Sequence, residues 1–190
     1  MAGIQIDGVN NKIDFDDDAD TSISSATDDT LVVEVGGNTL ATVTATSVTV
    51  NDGVEITTAD NNAQLTLTST DADANAGPIL ILKRDSASPA DNDFIGNIQM
   101  EMENDADENL DAVSILGQVI DASDGTEDAR LYFFTRTAGT MRDAFHISPT
   151  ETVFNDDSVD RDFRVETDAN AVAFKVDAGN NVAGIMGTGS

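Results

Sequence analysis

The stretch "TLVVEVGGNTLATV" (Thr30 to Val43) decides the fold class of this chain. Apolar residues recur with a period of two on either side of "GGN", which is the pattern of a β-strand with one buried face. Glycine and asparagine tolerate the backbone angles of a tight turn between strands. The stretch therefore predicts two short strands that are joined by a turn.

The same period continues along most of the chain. Further strands in the N-terminal part are predicted at 47–50, 53–58 and 64–70. Five strands in the middle part are predicted at 78–84, 94–103, 111–121, 129–137 and 141–148. No segment shows the stripe of an amphipathic helix. We therefore predict an all-β protein whose middle part is an antiparallel β-sandwich with one buried and one solvated face.

A change in composition near 69–78 divides the chain. No aromatic residue occurs between Asp16 and Asp93, so the N-terminal strands lack large side chains and would struggle to bury a core alone. A stacked solenoid or a narrow shaft shared by several chains solves this problem. The predicted parts are an acidic β-shaft and attachment region at 1–76, the sandwich at 77–149 and a C-terminal β-shaft repeat at 150–190.

The charge of the chain excludes several classes of partner. It carries 36 acidic and 9 basic residues, a net charge of −27, whereas nucleic acids and anionic membranes require a basic surface. The absence of cysteine excludes disulfides and thiolate metal sites. The N-terminus shows no secretory signal, and no window has the apolar length of a membrane span, so no membrane partner is predicted.

An internal repeat links the two ends of the chain. The segment "DRDFRVETDANAVAFKVDAGNNVAGIM" (160–186) aligns with "DADTSISSATDDTLVVEVGGNTLATV" (18–43). Ile23 then matches Val165, and Val33 matches Phe174. Each copy predicts a strand, an acidic turn, a second strand and a Gly/Asn turn into a third, and repetition of one such unit is typical of stacked architectures.

These segments, together with "LILKRDSASPADNDFIGNIQMEME" (80–103) and "VIDASDGTEDARLYFFT" (119–135), resemble modules of tailed-bacteriophage fibre proteins, especially those of marine and cyanobacterial phages. The resemblance covers most of residues 11–187. It implies an elongated, intertwined homotrimer in the virion, with neither catalysis nor a cofactor. It also implies partners among other virion proteins, namely the major capsid protein or a tail protein.

Three functions follow as expectations. The sequence ends at "NNVAGIMGTGS" without a self-cleaving chaperone or a receptor-binding tip, which favours a capsid decoration (cement or head-fibre) protein. A short tail fibre for host attachment is the alternative within the same class. A polysaccharide-degrading tailspike is the alternative from another class, because dense acids can supply glycosidase pairs. The absence of tryptophan and the single tyrosine disfavour sugar stacking and therefore the tailspike.

The acidic stretch "IDFDDDADTS" (13–22) contains the candidate metal ligands. They are Asp14, Asp16, Asp18 and Asp20. An EF-hand loop begins in this way, but it requires Gly at the sixth position and Glu at the twelfth, where this chain has Ala19 and Ser25. The pattern favours a solvated turn, and a calcium site shared between chains on a threefold axis is the alternative. The pair Asp156 and Asp157 receives the same interpretation.

His146 is the only histidine of the chain. Strand alternation places its apolar neighbours Phe145 and Ile147 inward, which predicts an outward, exposed His146 and supports no Ser-His-Asp triad. The arginines have two open roles, cross-strand pairing with acids and contact with an acidic neighbour in the particle. They are Arg84, Arg130, Arg136, Arg142, Arg161 and Arg164.

Overall fold

The computed structural model describes residues 4–16, 18, 20–25, 27–168 and 170–185, and these residues form antiparallel β-sheets without a helix. The predicted all-β class is therefore confirmed. No helix in this part of the chain is long and apolar enough to cross a membrane. The chain divides into two units, Met1–Pro78 and Ile79–Ser190. That division lies beside the predicted boundary at 76/77, and the predicted boundary at 149/150 falls inside the second unit.

The first unit contains one six-stranded sheet in which every strand pairs with the next one along the chain. Its strands are β1 (Gln5–Asp7), β2 (Lys12–Asp14), β3 (Ser22–Ser24), β4 (Leu31–Val35), β5 (Asn38–Val43) and β6 (Val48–Val50). The "GGN" turn joins β4 to β5 through Gly36 and Gly37, whose φ angles are 58° and 74°. Two positive φ angles suit the right-handed twist of a two-residue hairpin, which is why glycine occupies both positions.

Residues 51–93 lie outside every strand ladder, so the strands predicted at 53–58, 64–70 and 78–84 are wrong for the single chain. The physical reason is that a strand needs a partner for its backbone groups, and the described residues of this chain provide none. The apolar side chains of these segments are exposed, for example Val54 at 69%, Leu65 at 66% and Ile81 at 76%. These segments therefore have the apolar residues of strands, but they form no strand pairs in the single chain.

The second unit contains a five-stranded sheet in the order β11-β10-β9-β8-β7. Its strands are β7 (Phe94–Glu103), β8 (Asn109–Asp121), β9 (Asp128–Thr137), β10 (Thr140–Ile147) and β11 (Thr152–Phe154). Four of them follow the predicted segments closely, and β11 was not predicted. The described residues form this sheet as a single layer, so a sandwich would need a second layer from another source.

A three-stranded sheet completes the second unit, with β12 (Phe163–Thr167), β13 (Asn170–Asp177) and β14 (Val182–Ile185) in sequential order. Its first hairpin has the register of the aligned copy, since Val165 pairs with Phe174 as Ile23 pairs with Val33. The second turn is longer in this copy, because Asp177 pairs with Val182 across four residues. Both copies are three-stranded antiparallel meanders.

The buried side chains of the described residues are polar, the reverse of what is usual in folded proteins. No apolar side chain of the described residues is buried. The buried side chains are Asp14, Ser22, Ser114, Gln118, Asp143 and His146. The described part of one chain therefore has polar interior clusters without a hydrophobic core.

Candidate interface and acidic sites

One face of the five-stranded sheet is an apolar surface. Register places one residue from each strand in a continuous row. This row, which we call the apolar row, is Ile98, Ile115, Phe133, Phe145 and Phe154. Its end residues stay exposed, Ile98 at 43% and Phe154 at 52%. This face is therefore as apolar as a buried face of a sheet, but its end residues are not covered by other parts of the chain.

A groove runs beside the apolar row because two glycines face each other there. Gly96 pairs with Gly117, and the groove is bordered by Leu82, Ile95 and Leu131. A Cβ atom on Gly96 would lie 3.0 Å from Cβ of Leu82, which is too close for an ordinary contact. Glycine at this position therefore lets the unpaired segment around Leu82 approach β7.

Phenylalanine rings extend the apolar row into the C-terminal sheet. Ring centroids are 5.4 Å apart for Phe133–Phe145, 4.6 Å for Phe145–Phe154 and 4.7 Å for Phe154–Phe163. Phe163 reaches Phe174 at 6.0 Å in an edge-on arrangement. Aromatic pairs in this range attract beyond the area they bury. The ring series therefore joins the two sheets of the second unit on one side.

The opposite face of the same sheet is polar, and several of its side chains form hydrogen bonds with one another. Tyr132 donates its hydroxyl to Oε1 of Gln118 at 3.1 Å and accepts from Nη1 of Arg130 at 2.9 Å. Ser114 donates to Oδ1 of Asn97 at 2.5 Å. Such buried groups require partners, and here the chain provides them itself.

His146 lies on this polar face and is 3% exposed, so the predicted outward, exposed position is wrong. Strand alternation correctly placed His146 and Phe145 on different faces of β10. Within one chain, however, the polar face that carries His146 is more buried than the apolar face. Its Nδ1 lies 2.6 Å from Oδ2 of Asp143, and its ring packs edge-on against Tyr132 at 5.6 Å. No described residue forms a hydrogen bond with its Nε2 atom.

Asp143 is a functional candidate that the sequence pattern did not identify. Strict alternation places residues three apart on opposite faces of a strand. A register shift between Asp143 and Phe145 inserts a bulge in β10, and the bulge brings Asp143 and His146 onto the same face. The sequence carries no signal for this bulge beyond the alanine at position 144, which is compatible with many structures.

The acidic pair after β11 separates into two roles. A carboxylate oxygen of the exposed Asp156 converges with Asp143 and His146, and the three ligand atoms lie within 4.8 Å of one another. Asp157 instead accepts the backbone N–H of Asp143 at 2.8 Å. This part of the chain therefore brings together a mixed carboxylate and imidazole cluster, where the sequence predicted a solvated turn.

The N-terminal aspartates form a hairpin connection between β2 and β3. Phe15 N–H donates to the carbonyl of Thr21 at 2.9 Å and closes the connection. Asp14 lies apart at the end of β2, where Lys12 Nζ binds its Oδ1 at 2.8 Å. Asp14 therefore lies outside the group of three carboxylates described next, and its role as a ligand stays a prediction.

Asp16, Asp18 and Asp20 remain together, with carboxylate oxygens within 4.8 Å of one another. A hydrogen bond from Thr21 lowers the pKa of Asp16. Partial burial, followed by the charges of Asp18 and Asp16, raises the pKa of Asp20. An all-oxygen set of this kind suits calcium, and calcium binding at this turn stays a prediction.

Several arginines have partners within the chain. Arg84 pairs with Asp93 at 3.0 Å, and Arg164 pairs with Glu166 at 2.6 Å. Arg161 donates to the hydroxyls of Thr135 and Thr137 at 2.8 and 3.1 Å. Arg136 binds two backbone carbonyls. These contacts favour the intramolecular role for these four, although exposed ion pairs contribute little to stability.

No known protein family, curated protein or solved structure matches this chain. The resemblance to phage fibre proteins therefore remains an interpretation of the sequence.

Proposed function

We propose that this chain is a non-enzymatic structural protein of a bacteriophage virion that acts as an intertwined homotrimer and decorates the capsid. The observation that carries the assembly part is the combination of an exposed apolar sheet face with the absence of a buried apolar side chain among the described residues. The virion part rests on the resemblance of the sequence to phage fibre modules.

The apolar row gives the first argument for assembly. A large exposed apolar patch marks an interface, because water disfavours it by about 25 cal/mol per Å². Three copies that turn this face toward a common axis would cover it, and each sheet would gain the second layer of the predicted sandwich. Closed symmetric assembly is the usual solution for a self-complementary apolar face.

The unpaired segments give the second argument. The segments 53–58 and 64–70 carry strand-like apolar alternation and 78–84 carries an apolar run, but all three lie outside every ladder in the single chain. Backbone groups and apolar side chains on such a segment gain partners when it pairs with another copy. Exchange of these segments between three chains would make the trimer intertwined, with folding and assembly in one step.

The charge explains why such an assembly stays specific. A net charge of −27 per chain repels copies at every contact except one whose burial outweighs the repulsion. It also favours a docking partner with a basic surface. A capsid protein that presents such a surface fits this requirement.

Quantification of the protein in purified virions tests the proposed function. Hundreds of copies per particle support capsid decoration, whereas tens or fewer support the short tail fibre. Absence of the protein from the particle contradicts the proposal. Release of oligosaccharides from host surface polysaccharide, abolished by replacing a specific pair of acids, would place the protein among tailspikes instead.

A further inference from the structure

The cluster of Asp143, His146 and Asp156 is unlike the other acidic groups of the chain, because two of its members are buried. Asp143 is 5% exposed and His146 is 3% exposed. Asp156, in the connection after β11, reaches them from the surface, and one ligand atom from each residue lies within 4.8 Å of the others. The connection is fixed there, since Asn155 N–H donates to the carbonyl of Ala144 at 3.0 Å.

Two buried atoms of the cluster lack a partner. Oδ1 of Asp143 and Nε2 of His146 are shielded from solvent, and no described residue forms a hydrogen bond with either. Buried polar atoms are ordinarily satisfied, so each exception calls for an explanation such as an ion. The free Oδ1 of Asp143 is a good metal donor, and this observation is independent of the clustering itself. Nε2 of His146 lies on the side of the ring away from Asp143, since Nδ1 faces that carboxylate at 2.6 Å, so Nδ1 is the histidine atom that reaches the cluster.

The charge of the cluster also calls for a cation. It contains two carboxylates, and a third, Asp157, accepts the backbone N–H of Asp143 beside them. Among the described residues, no lysine or arginine forms an ion pair with any of these three carboxylates. Carboxylates this close repel each other, and a bound divalent cation would reverse that repulsion.

We propose that Asp143, His146 and Asp156 bind one divalent transition-metal ion of the zinc type in each chain. Imidazole with carboxylate oxygens is a common ligand set for zinc, whereas calcium takes oxygen ligands. Tetrahedral ligands about 2.1 Å from an ion lie about 3.4 Å apart. The ion therefore replaces the 2.6 Å hydrogen bond between Nδ1 of His146 and Oδ2 of Asp143, and a modest movement of the exposed Asp156 completes the site. Water takes the fourth position.

The ion would have a structural role at the point where the chain passes between two sheets. Asp143 and His146 belong to β10, and Asp156 belongs to the connection between Phe154 and Phe163, whose rings contact each other. A metal bridge across this gap would hold the connection against the edge of β10. It would therefore stabilise the folded state by mass action, since the unfolded chain lacks the assembled site.

The single histidine makes a direct test available. Tag-free protein carrying ¹³C-labelled histidine is stripped with a chelator and titrated with zinc chloride in the presence of excess calcium and magnesium. The account predicts that the His146 ring resonances shift and that the shift saturates at one equivalent per chain. Ring resonances that stay unmoved while calorimetry detects zinc would assign the ion to the acidic surface and overturn the proposal.

Two neighbouring substitutions identify the ligand. Asp156→Asn removes a ligand on the surface, where folding is little affected, and should weaken zinc binding at least about tenfold. Asp157→Asn removes the same charge one residue away and keeps an oxygen acceptor for the Asp143 N–H, so zinc affinity should stay within about twofold of the wild type. Equal affinity in the two variants, or a larger loss in Asp157→Asn, would overturn the assignment.

Discussion

The two faces of the five-stranded sheet differ in what one chain provides for them. The polar face makes its own hydrogen bonds, through Tyr132, Gln118 and Ser114. The apolar face has a complete row of side chains from Ile98 to Phe154 but no cover over its ends. The difference indicates that the hydrogen bonds of Tyr132, Gln118 and Ser114 are made within one chain, whereas burial of the apolar face depends on assembly.

The largest expected effect comes from a charge on the apolar face. Ile98→Asp should lower the free energy of unfolding by about 3 kcal/mol or more, or prevent assembly, because it places a carboxylate in the proposed shared core. Asn97→Asp adds the same charge at the next residue on the opposite face. It keeps an oxygen acceptor for Ser114 and loses only the exposed bond from Nδ2 to Gln99, so it should cost at most about 1 kcal/mol. Thermal unfolding and light scattering measure both. Similar values for the two variants would remove the distinction between the faces.

A smaller effect is expected at the groove. Gly96→Val should cost about 2 kcal/mol, since its Cβ would meet Leu82 at 3.0 Å. Gly184→Val, also in a strand, meets no atom within 4 Å and should be neutral. Chemical denaturation of both variants gives the comparison. A neutral Gly96→Val would mean that Leu82 does not pack against β7.

A polar-face substitution should lower stability and leave the assembly unchanged. Tyr132→Phe removes one hydroxyl, and with it the bonds to Gln118 and Arg130, at a cost of about 1 kcal/mol. The mass of the assembled protein should stay that of the wild type, because these two bonds are made within one chain. Dissociation of this variant would contradict the local role of that face.

The smallest effect concerns another local bond, in the C-terminal sheet. A hydrogen bond from Lys175, followed by those from Asn180, lowers the pKa of Asp177 from 3.8 to about 2. A depressed pKa contributes stability above pH 3.8 that is lost as the pH falls toward 2. Asp177→Asn should therefore flatten this part of the stability profile slightly, whereas Asp124→Asn in an exposed turn serves as the control. Equal profiles for the two variants would show that the Asp177 bond contributes nothing.

The sequence predicts those strands whose partners follow directly in the chain. In β4 and β5, and from β7 to β10, a hairpin turn supplies the neighbour, so local alternation is sufficient information. The segments 53–58 and 64–70 have the same alternation and 78–84 has a continuous apolar run, but none of the three pairs with a neighbour in the described part of the chain. Alternation reports that a segment has an apolar side, and it does not identify the partner that covers it.

The acidic sites were harder to predict from the sequence, because they too depend on which residues become neighbours in the sheet. Alternation assigned His146 to the correct side of its strand, but burial depends on the neighbours Tyr132 and Asp143, which are fixed by register. The bulge between Asp143 and Phe145 then places two residues together that strict alternation separates. The N-terminal turn was closer to the prediction, since Asp16, Asp18 and Asp20 are near in the chain and stay near in the fold.

The mass of the wild-type protein in solution tests the dependence on assembly most directly. Light scattering after size-exclusion chromatography, at micromolar concentration, is the measurement. The account predicts a folded particle of three times the chain mass of 19.9 kDa, with no folded species at the mass of one chain. A stable, folded monomer would show that one chain covers its own apolar face, and it would contradict the central claim.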